Sequence, residues 1–188
     1  MKRVTRRNPA ARSQFSPDIP SLLQRIYANR GLQSDHDVDL ALKNLLPASE
    51  LKGLEPALDL LVSVLEKRQR ILVVGDFDAD GATSSALSVL ALRKLGAAAV
   101  DYLVPNRFEY GYGLTPQIVA VALQRCPGLI LTVDNGISSI EGVKAAKAAG
   151  IKVLVTDHHL PAQVLPIAKV EIDVDLGKLR KCLSPAGP

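Results

Sequence analysis

Three short aliphatic runs, each followed at once by acidic or histidine residues, are the feature that most constrains this fold. The runs are Ile71–Val74, Leu129–Val133 and Val153–Val155. The polar stretches after them are GDFDADG at 75–81, TVDNG at 132–136 and TDHH at 156–159. Helical patterns separate the runs, and this alternation predicts an α/β fold with a parallel sheet flanked by helices. Because the carboxyl ends of parallel strands share one edge of a sheet, we expect these acids and histidines to meet there.

Other local signals complete the alternation. Thr115 and Pro116 are typical of a helix cap and first turn, and Ser138 and Glu141 fit a capping box. The predicted elements outside the three runs are strands at Ala99–Val104 and Val170–Val174 and helices at Ala82–Leu95, 115–125 and 138–150.

The chain divides into four predicted segments. Residues 1–17 are basic, and we expect a disordered, solvated N-terminus in preference to a nucleic-acid-binding arm. Residues 18–68 form a helical extension with apolar stripes, one of them the looser series Val38, Leu40, Leu42 and Leu45. Residues 69–168 form the α/β domain. Residues 169–188 are an atypical tail, as expected of a truncated chain.

Composition indicates a globular protein in a reducing compartment. The chain has 188 residues, 47% of them apolar and 22% charged, and two cysteines that form neither a disulfide framework nor a zinc spacing. Its apolar runs all fall well short of the ~20 residues of a membrane span. The net charge of +4 permits a polyanionic partner without requiring one. We therefore expect a soluble, cytoplasmic protein.

The acids Asp76, Asp78 and Asp80 predict a metal site. Alternate acids before a glycine are also typical of an EF-hand loop, but the position of the final glutamate holds Leu87, and the segment follows a strand instead of a helix. A polar turn that caps the next helix explains one acid. Three acids so close together repel one another unless cations compensate.

Histidines add a second kind of ligand. His158 and His159 follow Asp157 at a predicted strand end, and Asp134 follows another strand of the same sheet. Mixed carboxylate and imidazole ligation favours Mn²⁺ or a similar ion, with Mg²⁺ as an alternative. Several carboxylates indicate two ions, an arrangement suited to phosphoester hydrolysis.

The loop VPNRFEYGYG at 104–113 follows another strand. Arg107 suits a phosphate contact, and Phe108, Tyr110 and Tyr112 suit stacking on a base or sugar. The alternative, an ordered glycine-rich surface loop with its aromatic rings packed inward, stays open at this point.

Together, GDFDADG, TVDNG and TDHH resemble the first three motifs of the DHH phosphoesterase superfamily. The loop at 104–113 and the helical prelude are similar to its exonucleases specific for single-stranded DNA. The resemblance implies a DHH-type catalytic domain at 69–168 and 5′-to-3′ hydrolysis of single-stranded DNA to mononucleotides, in DNA repair and recombination, with two Mn²⁺ or Mg²⁺ ions. It also implies single-strand-binding protein and recombination helicases as partners.

The resemblance assigns roles by motif. It implies metal ligands at Asp78, Asp80, Asp134 and His158, with Asp80 as the bridging carboxylate. It implies catalytic or supporting roles for Asp76, Asp157 and His159, the last as a contact to the scissile phosphate. Arg107, Tyr110 and Tyr112 are the expected substrate-binding residues.

Members of the superfamily add a further metal-binding aspartate, a second domain and, in these exonucleases, an oligonucleotide-binding barrel beyond the point where this chain stops. We therefore expect an N-terminal fragment with an incomplete catalytic domain. Two alternatives stay open: another DHH phosphoesterase, acting on pyrophosphate, a short oligonucleotide or a cyclic dinucleotide, and a non-catalytic fragment that binds metal and DNA.

Overall fold

The computed structural model describes residues 14–45, 47–160, 166 and 170–173, the last four as backbone. The predictions for most of the basic N-terminus and most of the tail lie outside these residues. In chain order the elements are α1 (Ser21–Asn29), α2 (Leu54–Glu66), β1 (Ile71–Val74), α3 (Ala79–Lys94), β2 (Val100–Leu103), α4 (Arg107–Tyr110), α5 (Pro116–Leu123), β3 (Leu129–Val133), α6 (Ile140–Ala148), β4 (Lys152–Asp157) and β5 (Val170–Asp173).

The strands form one parallel sheet in the order β2-β1-β3-β4-β5. The predicted α/β class is confirmed, and so is a strand at the end of the described chain. The order reverses between β1 and β3, because the chain adds β2 on one side of β1 and all later strands on the other. Such a switch point leaves a crevice at the carboxyl ends of the two strands.

Alternate residues of the central strands enter two different cores. Ile71 and Val73 of β1 pack with α2 and α3, whereas Leu72 and Val74 pack with α5 and α6. All four are fully buried. Strands covered on both faces are apolar along most of their length. That is why β1 is a continuous aliphatic run and β3 is interrupted only by the buried Thr132.

Two helix starts follow the sequence prediction differently. Thr115 caps α5 by accepting a hydrogen bond from the Ile118 N–H at 3.3 Å, as predicted. The capping box predicted at Ser138 and Glu141 is wrong. The cap residue of α6 is Ser139, whose hydroxyl accepts from the Leu114 N–H at 3.0 Å and so serves the loop before α5 instead of its own helix.

The described chain divides into two units at Glu50 and Leu51. The first contains α1 and three short 3₁₀ turns, at Asp35–Val38, Leu42–Asn44 and Ala48–Glu50. The helical reading of Val38–Leu45 is therefore wrong, because apolar residues two apart do not share a face of an α-helix.

The second unit, Leu51–Val174, holds the whole sheet. Helix α2, which the sequence prediction grouped with the N-terminal extension, belongs to this unit because Ala57, Leu60 and Val64 enter the sheet core. Within the described residues, the helices all lack the length and apolar content that crossing a membrane requires.

Candidate metal centre at the carboxyl edge of the sheet

The polar stretches after β1, β3 and β4 meet at one edge of the sheet, as predicted. Val74 of β1 pairs with Thr132 of β3, which in turn pairs with Val155 of β4, so the three strands end at nearly the same level. The side chains that follow converge at the switch point between β1 and β3, the usual ligand position in open parallel sheets.

The loop after β1 gives its three acids different surroundings. Asp76 is buried, with 5% of its surface exposed. Asp78 caps α3, and the hydrogen bond that it accepts from the Gly81 N–H at 3.2 Å lowers the pKa of Asp78. Because α3 begins at Ala79, earlier than predicted, Asp80 lies in the first helical turn with its side chain 65% exposed. A helix-capping turn thus accounts for Asp78 alone.

Asp134 is the most constrained of the ligand candidates. Its φ of +61° is left-handed, a conformation that costs about 1–3 kcal/mol in a residue with a Cβ, although aspartate adopts it more readily than most residues. Its Oδ1 lies 2.7 Å from Nε2 of His158. Its Oδ2 is buried without a hydrogen-bond partner in the described part of the chain. Burial raises the pKa of Asp134. A bound cation would satisfy the orphaned oxygen and offset this cost.

Asp157 uses both carboxylate oxygens to hold its neighbours. Oδ2 accepts from the Ile137 N–H at 2.9 Å, and Oδ1 accepts from the His158 N–H at 2.8 Å and lies 2.7 Å from Nδ1 of His159. This contact favours a proton on Nδ1 and leaves Nε2 of His159 as the acceptor. Burial acts to lower the pKa of His159, but the bond to Asp157 and the nearby carboxylates outweigh it and raise that pKa. Asp157 therefore positions a histidine, and both of its oxygens already accept hydrogen bonds from N–H groups of the protein.

Two sets of three side chains bring their ligand atoms within 4.8 Å of one another. One set is Asp76, Asp78 and Asp134; the other is Asp134, His158 and His159. The first offers only oxygen and suits Mg²⁺ or Mn²⁺, whereas the second adds imidazole nitrogen, which suits Mn²⁺. With the orphaned oxygen of Asp134, these donors fit two ions.

Asp134, and not Asp80, is the carboxylate common to both sets, which differs from the bridging role that the resemblance implied for Asp80. Asp80 lies beside the site, with 3.8 Å between its Oδ2 and Nε2 of the His158 imidazole, and it lines the same cavity as Asp134. Its exposed position on the first turn of α3 leaves it free to change rotamer. A ligand role for Asp80 stays a prediction.

Arg107 compensates the acids of the first set. Its Nε donates to Asp76 Oδ1 at 2.9 Å, and its terminal nitrogen donates to the other oxygen of Asp76 and to Asp78 Oδ2, the latter at 3.1 Å. These bonds raise the pKa of Arg107. The guanidinium also lies over the rings of Phe77 and Tyr112, 4.3 and 4.9 Å from their centroids. The expected phosphate contact stays a prediction, and in the described structure Arg107 binds carboxylates.

The aromatic residues of the loop at 104–113 divide between the two predicted arrangements. Tyr110 packs against the core that contains α5 and α6, which matches the inward-packed alternative. Tyr112 is 46% exposed, and its hydroxyl lies 3.3 Å from both ring nitrogens of His159 and donates to the Asp134 carbonyl at 3.4 Å. Burial, and then the nearby carboxylates, raise the pKa of Tyr112, so its hydroxyl stays a hydrogen-bond donor.

Sequence reasoning missed a buried residue that holds two ligand loops together. Asn135 is 1% exposed, and its Nδ2 donates to the carbonyls of Val74 at 3.1 Å and Val133 at 2.9 Å. It therefore joins the ends of β1 and β3 beside Asp76 and Asp134. An Asp-Asn-Gly after a strand is so common in turns that the sequence carried no separate signal for this contact.

Comparisons with known proteins agree with this geometry. A model of the DHH family, N-terminal domain, matches residues 70–177. The single-stranded-DNA-specific exonuclease RecJ of Escherichia coli K12 is 49% identical over 183 residues, which are 97% of this chain and 31% of that protein. RecJ of Thermus thermophilus is 41% identical over 140 residues, 74% of this chain and 20% of that protein. The chain spans about a third of the length of the first of these curated relatives.

Solved structures give the same result. A crystal structure of exonuclease RecJ bound to manganese superimposes with a TM-score of 0.61 and 40% identity, over 68% of this chain and 32% of that one. RecJ from Thermus thermophilus in complex with Mn²⁺ superimposes with a TM-score of 0.58 and 32% identity, over 86% of this chain and 24% of that one.

Proposed function

The chain belongs to the DHH family, and from that membership we propose that it carries the metal site of an exonuclease that hydrolyses single-stranded DNA. The observation that carries the proposal is Asp134, a buried carboxylate with an orphaned oxygen that is common to two ligand sets. The names of the relatives, single-stranded-DNA-specific exonucleases, supply the substrate. Residues 69–168 are the proposed catalytic segment.

The proposed cofactors are two Mn²⁺ or Mg²⁺ ions. Asp76, Asp78 and Asp134 would hold one ion, and Asp134, His158 and His159 the other, with Asp80 beside His158 as a further proposed ligand. Bound ions supply a water of lowered pKa and neutralise charge on the attacked phosphate. The protein prepares for this in the described structure by fixing its donors, since Asn135 joins two strand ends and Asp157 orients His159.

The roles of the remaining side chains follow from their contacts. The Tyr112 hydroxyl, held as a donor beside His159, is suited to a hydrogen bond with a phosphate oxygen. Asp80 and Arg107 lie at the exposed rim of the two sets, where a substrate enters. We propose that Arg107 exchanges its bonds with Asp76 and Asp78 for a substrate phosphate once cations neutralise those carboxylates.

Digestion in the 5′-to-3′ direction, release of mononucleotides and a role in DNA repair and recombination are further parts of the proposal. They rest on the resemblance of the DHH motifs and on the relatives' names. The same resemblance supports a cytoplasmic location and contacts with single-strand-binding protein and recombination helicases.

A nuclease assay tests the proposal. Single-stranded DNA labelled at the 5′ or the 3′ end is incubated with the chain in Mn²⁺, Mg²⁺ or chelator at low salt, because phosphate contacts weaken as salt rises. We expect metal-dependent loss from the 5′ end. Asp80→Ala is expected to abolish cleavage while the protein stays folded, because the side chain is exposed and its removal relieves carboxylate repulsion.

Two results of that assay contradict the proposal. If Asp80→Ala cleaves DNA at the parental rate, Asp80 is not part of the site. Cleavage of pyrophosphate or dinucleotides but not of longer strands would identify another DHH phosphoesterase.

A further inference from the structure

Two phenylalanines beside the first ligand set are unusually exposed. Phe77 is 50% exposed and Phe108 is 94% exposed. Phe77 lies between Asp76 and Asp78 in the sequence, so its backbone is part of the metal-binding loop. Together the two rings line a groove of about 250 Å³, whose other walls are Val104, Pro105 and Asn106.

Arg107 connects this groove to the ligand set. Its guanidinium carbon lies 4.3 Å from the Phe77 ring centroid while its nitrogens bond to Asp76 and Asp78. The cation therefore fixes Phe77 against the charged site, and half of that side chain still faces solvent. Apolar rings grouped and exposed in this way are typical of binding surfaces.

We propose that the groove between Phe77 and Phe108 holds a nucleobase of single-stranded DNA by aromatic stacking. This inference rests on the proposed function and names a subsite for it. A volume of about 250 Å³ is below the ~300–1,000 Å³ of drug-sized ligand pockets and suits one planar ring system. Every base offers a π-face, so stacking gives affinity without sequence preference.

The position of Phe77 also determines which nucleotide along the strand places its base in the groove. Because both neighbours of Phe77 in the chain belong to the first ligand set, a base in the groove comes from a nucleotide whose phosphate is close to that set. The groove would then hold the strand by a base, while cations bound to the carboxylate and histidine ligands would hold its backbone. Double-stranded DNA keeps its bases stacked inside the helix and cannot fill the groove.

The chain contains no tryptophan, so a single introduced one reports on the groove. Phe77→Trp and Phe108→Trp are prepared, with Leu95→Trp as the control, because Leu95 is 69% exposed and follows the far end of α3. A helix of 16 residues separates that end from the ligand loop by about 24 Å. The probes are 5′-labelled oligothymidylate of about 12 nucleotides, within the usual range of single-strand site sizes, and an abasic strand of equal length. Fluorescence and anisotropy are first measured in Ca²⁺, because carboxylates bind this cation readily.

We expect oligothymidylate to quench the tryptophan at positions 77 and 108, at the concentrations at which anisotropy reports binding. We expect no quenching at position 95, and none at any position with the abasic strand. Phe77→Ala should weaken binding of oligothymidylate by about fivefold or more, the lower end for base stacking. It should leave binding of the abasic strand and the calorimetric affinity for Mn²⁺ unchanged.

Each contrary result has a distinct meaning. Binding by anisotropy without quenching at position 77 overturns the inference and leaves the proposed function standing. If neither strand binds, both the inference and the proposed function are overturned. Light scattering can also detect a dimer in the absence of DNA. If the tryptophan emission at position 77 is blue-shifted in that dimer, a second copy of the chain covers the groove and the inference is overturned.

Discussion

Asp157→Asn distinguishes a carboxylate that holds the site together from one that binds metal. Both oxygens of Asp157 are engaged, by the N–H groups of Ile137 and His158 and by Nδ1 of His159, at 2.7 to 2.9 Å. The side chain is 1% exposed. An asparagine can keep only one of these acceptor oxygens. Its amide NH₂ must then face a donor in place of the other oxygen.

The expected cost follows from the contacts that are lost. A buried donor left unpaired costs about 1–3 kcal/mol, and a hydrogen bond to a charged group contributes about 1.5–3 kcal/mol. If the amide keeps its oxygen towards the histidines, the Ile137 N–H loses its partner and the charge that holds His159 disappears. We therefore expect the free energy of unfolding of Asp157→Asn to fall by about 2–4 kcal/mol in chelator.

Asp80→Asn is the matched control, because it makes the same chemical change at a side chain that is 65% exposed. It should alter the free energy of unfolding in chelator by no more than about 0.5 kcal/mol. Urea denaturation followed by circular dichroism, with chelator or with Mn²⁺, measures both variants. Parental protein should gain about 2.7 kcal/mol at a Mn²⁺ concentration 100 times the dissociation constant, and Asp80→Asn should lose most of that gain.

The positioning role of Asp157 is refuted by the reverse pattern. If Asp157→Asn unfolds like the parent in chelator but gains nothing from Mn²⁺, Asp157 is a metal ligand. Its hydrogen bonds with the N–H groups of Ile137, His158 and His159 and with Nδ1 of His159 would then not be the reason for its presence.

Three further predictions test the electrostatics of the site. Asp134→Asn should weaken Mn²⁺ binding in calorimetry by more than about 100-fold. Substitutions of residues that only hydrogen-bond to a metal ligand already lower metal affinity by about 10–100-fold, and a shared ligand should matter more. A smaller loss would mean that the two ligand sets do not share this carboxylate. In chelator, Arg107→Ala should lower the melting temperature, because buried Asp76 loses the guanidinium that pairs with it. Mn²⁺ should reduce the difference in melting temperature between the variant and the parent. An equal difference with chelator and with Mn²⁺ would contradict this. The pKa of His159 is raised in the folded protein, so its stabilising contribution is fully present below about pH 6.5 and is lost as pH rises through the folded-state pKa. In chelator, the free energy of unfolding should therefore fall less steeply with pH in His159→Gln than in the parent. An unchanged slope would exclude His159 as the cause of the fall.

The fold was predictable because burial on both faces leaves a strong local trace. The runs at 71–74 and 129–133 coincide with β1 and β3, since every position of these strands faces one of two helical layers. Helix starts were harder to predict. Asp78 suits a metal ligand and a helix cap with the same side chain, and α3 begins directly after it at Ala79 instead of at the predicted Ala82.

Contacts between distant residues explain the other differences. The capping box was predicted at Ser138 and Glu141, but the cap residue is Ser139, whose hydroxyl accepts a hydrogen bond from the backbone of Leu114, 25 positions away. Asn135 reaches the carbonyl of Val74 across 61 positions. A single sequence gives no sign of such partners, because they depend on which strand ends meet after folding.

The candidate ligand residues were predictable from the sequence, whereas the arrangement that brings them together was not. Gathering Asp76, Asp78 and Asp134 within 4.8 Å concentrates negative charge, and the described structure offsets it with Arg107. That compensation is partial, because Arg107 reaches the first set only and leaves Oδ2 of Asp134 unpaired. The left-handed backbone and the raised pKa of Asp134 are further costs concentrated at one residue. A chain selected for stability alone would lose little by replacing that residue, so its unpaired carboxylate oxygen is best explained by a cation that would satisfy it.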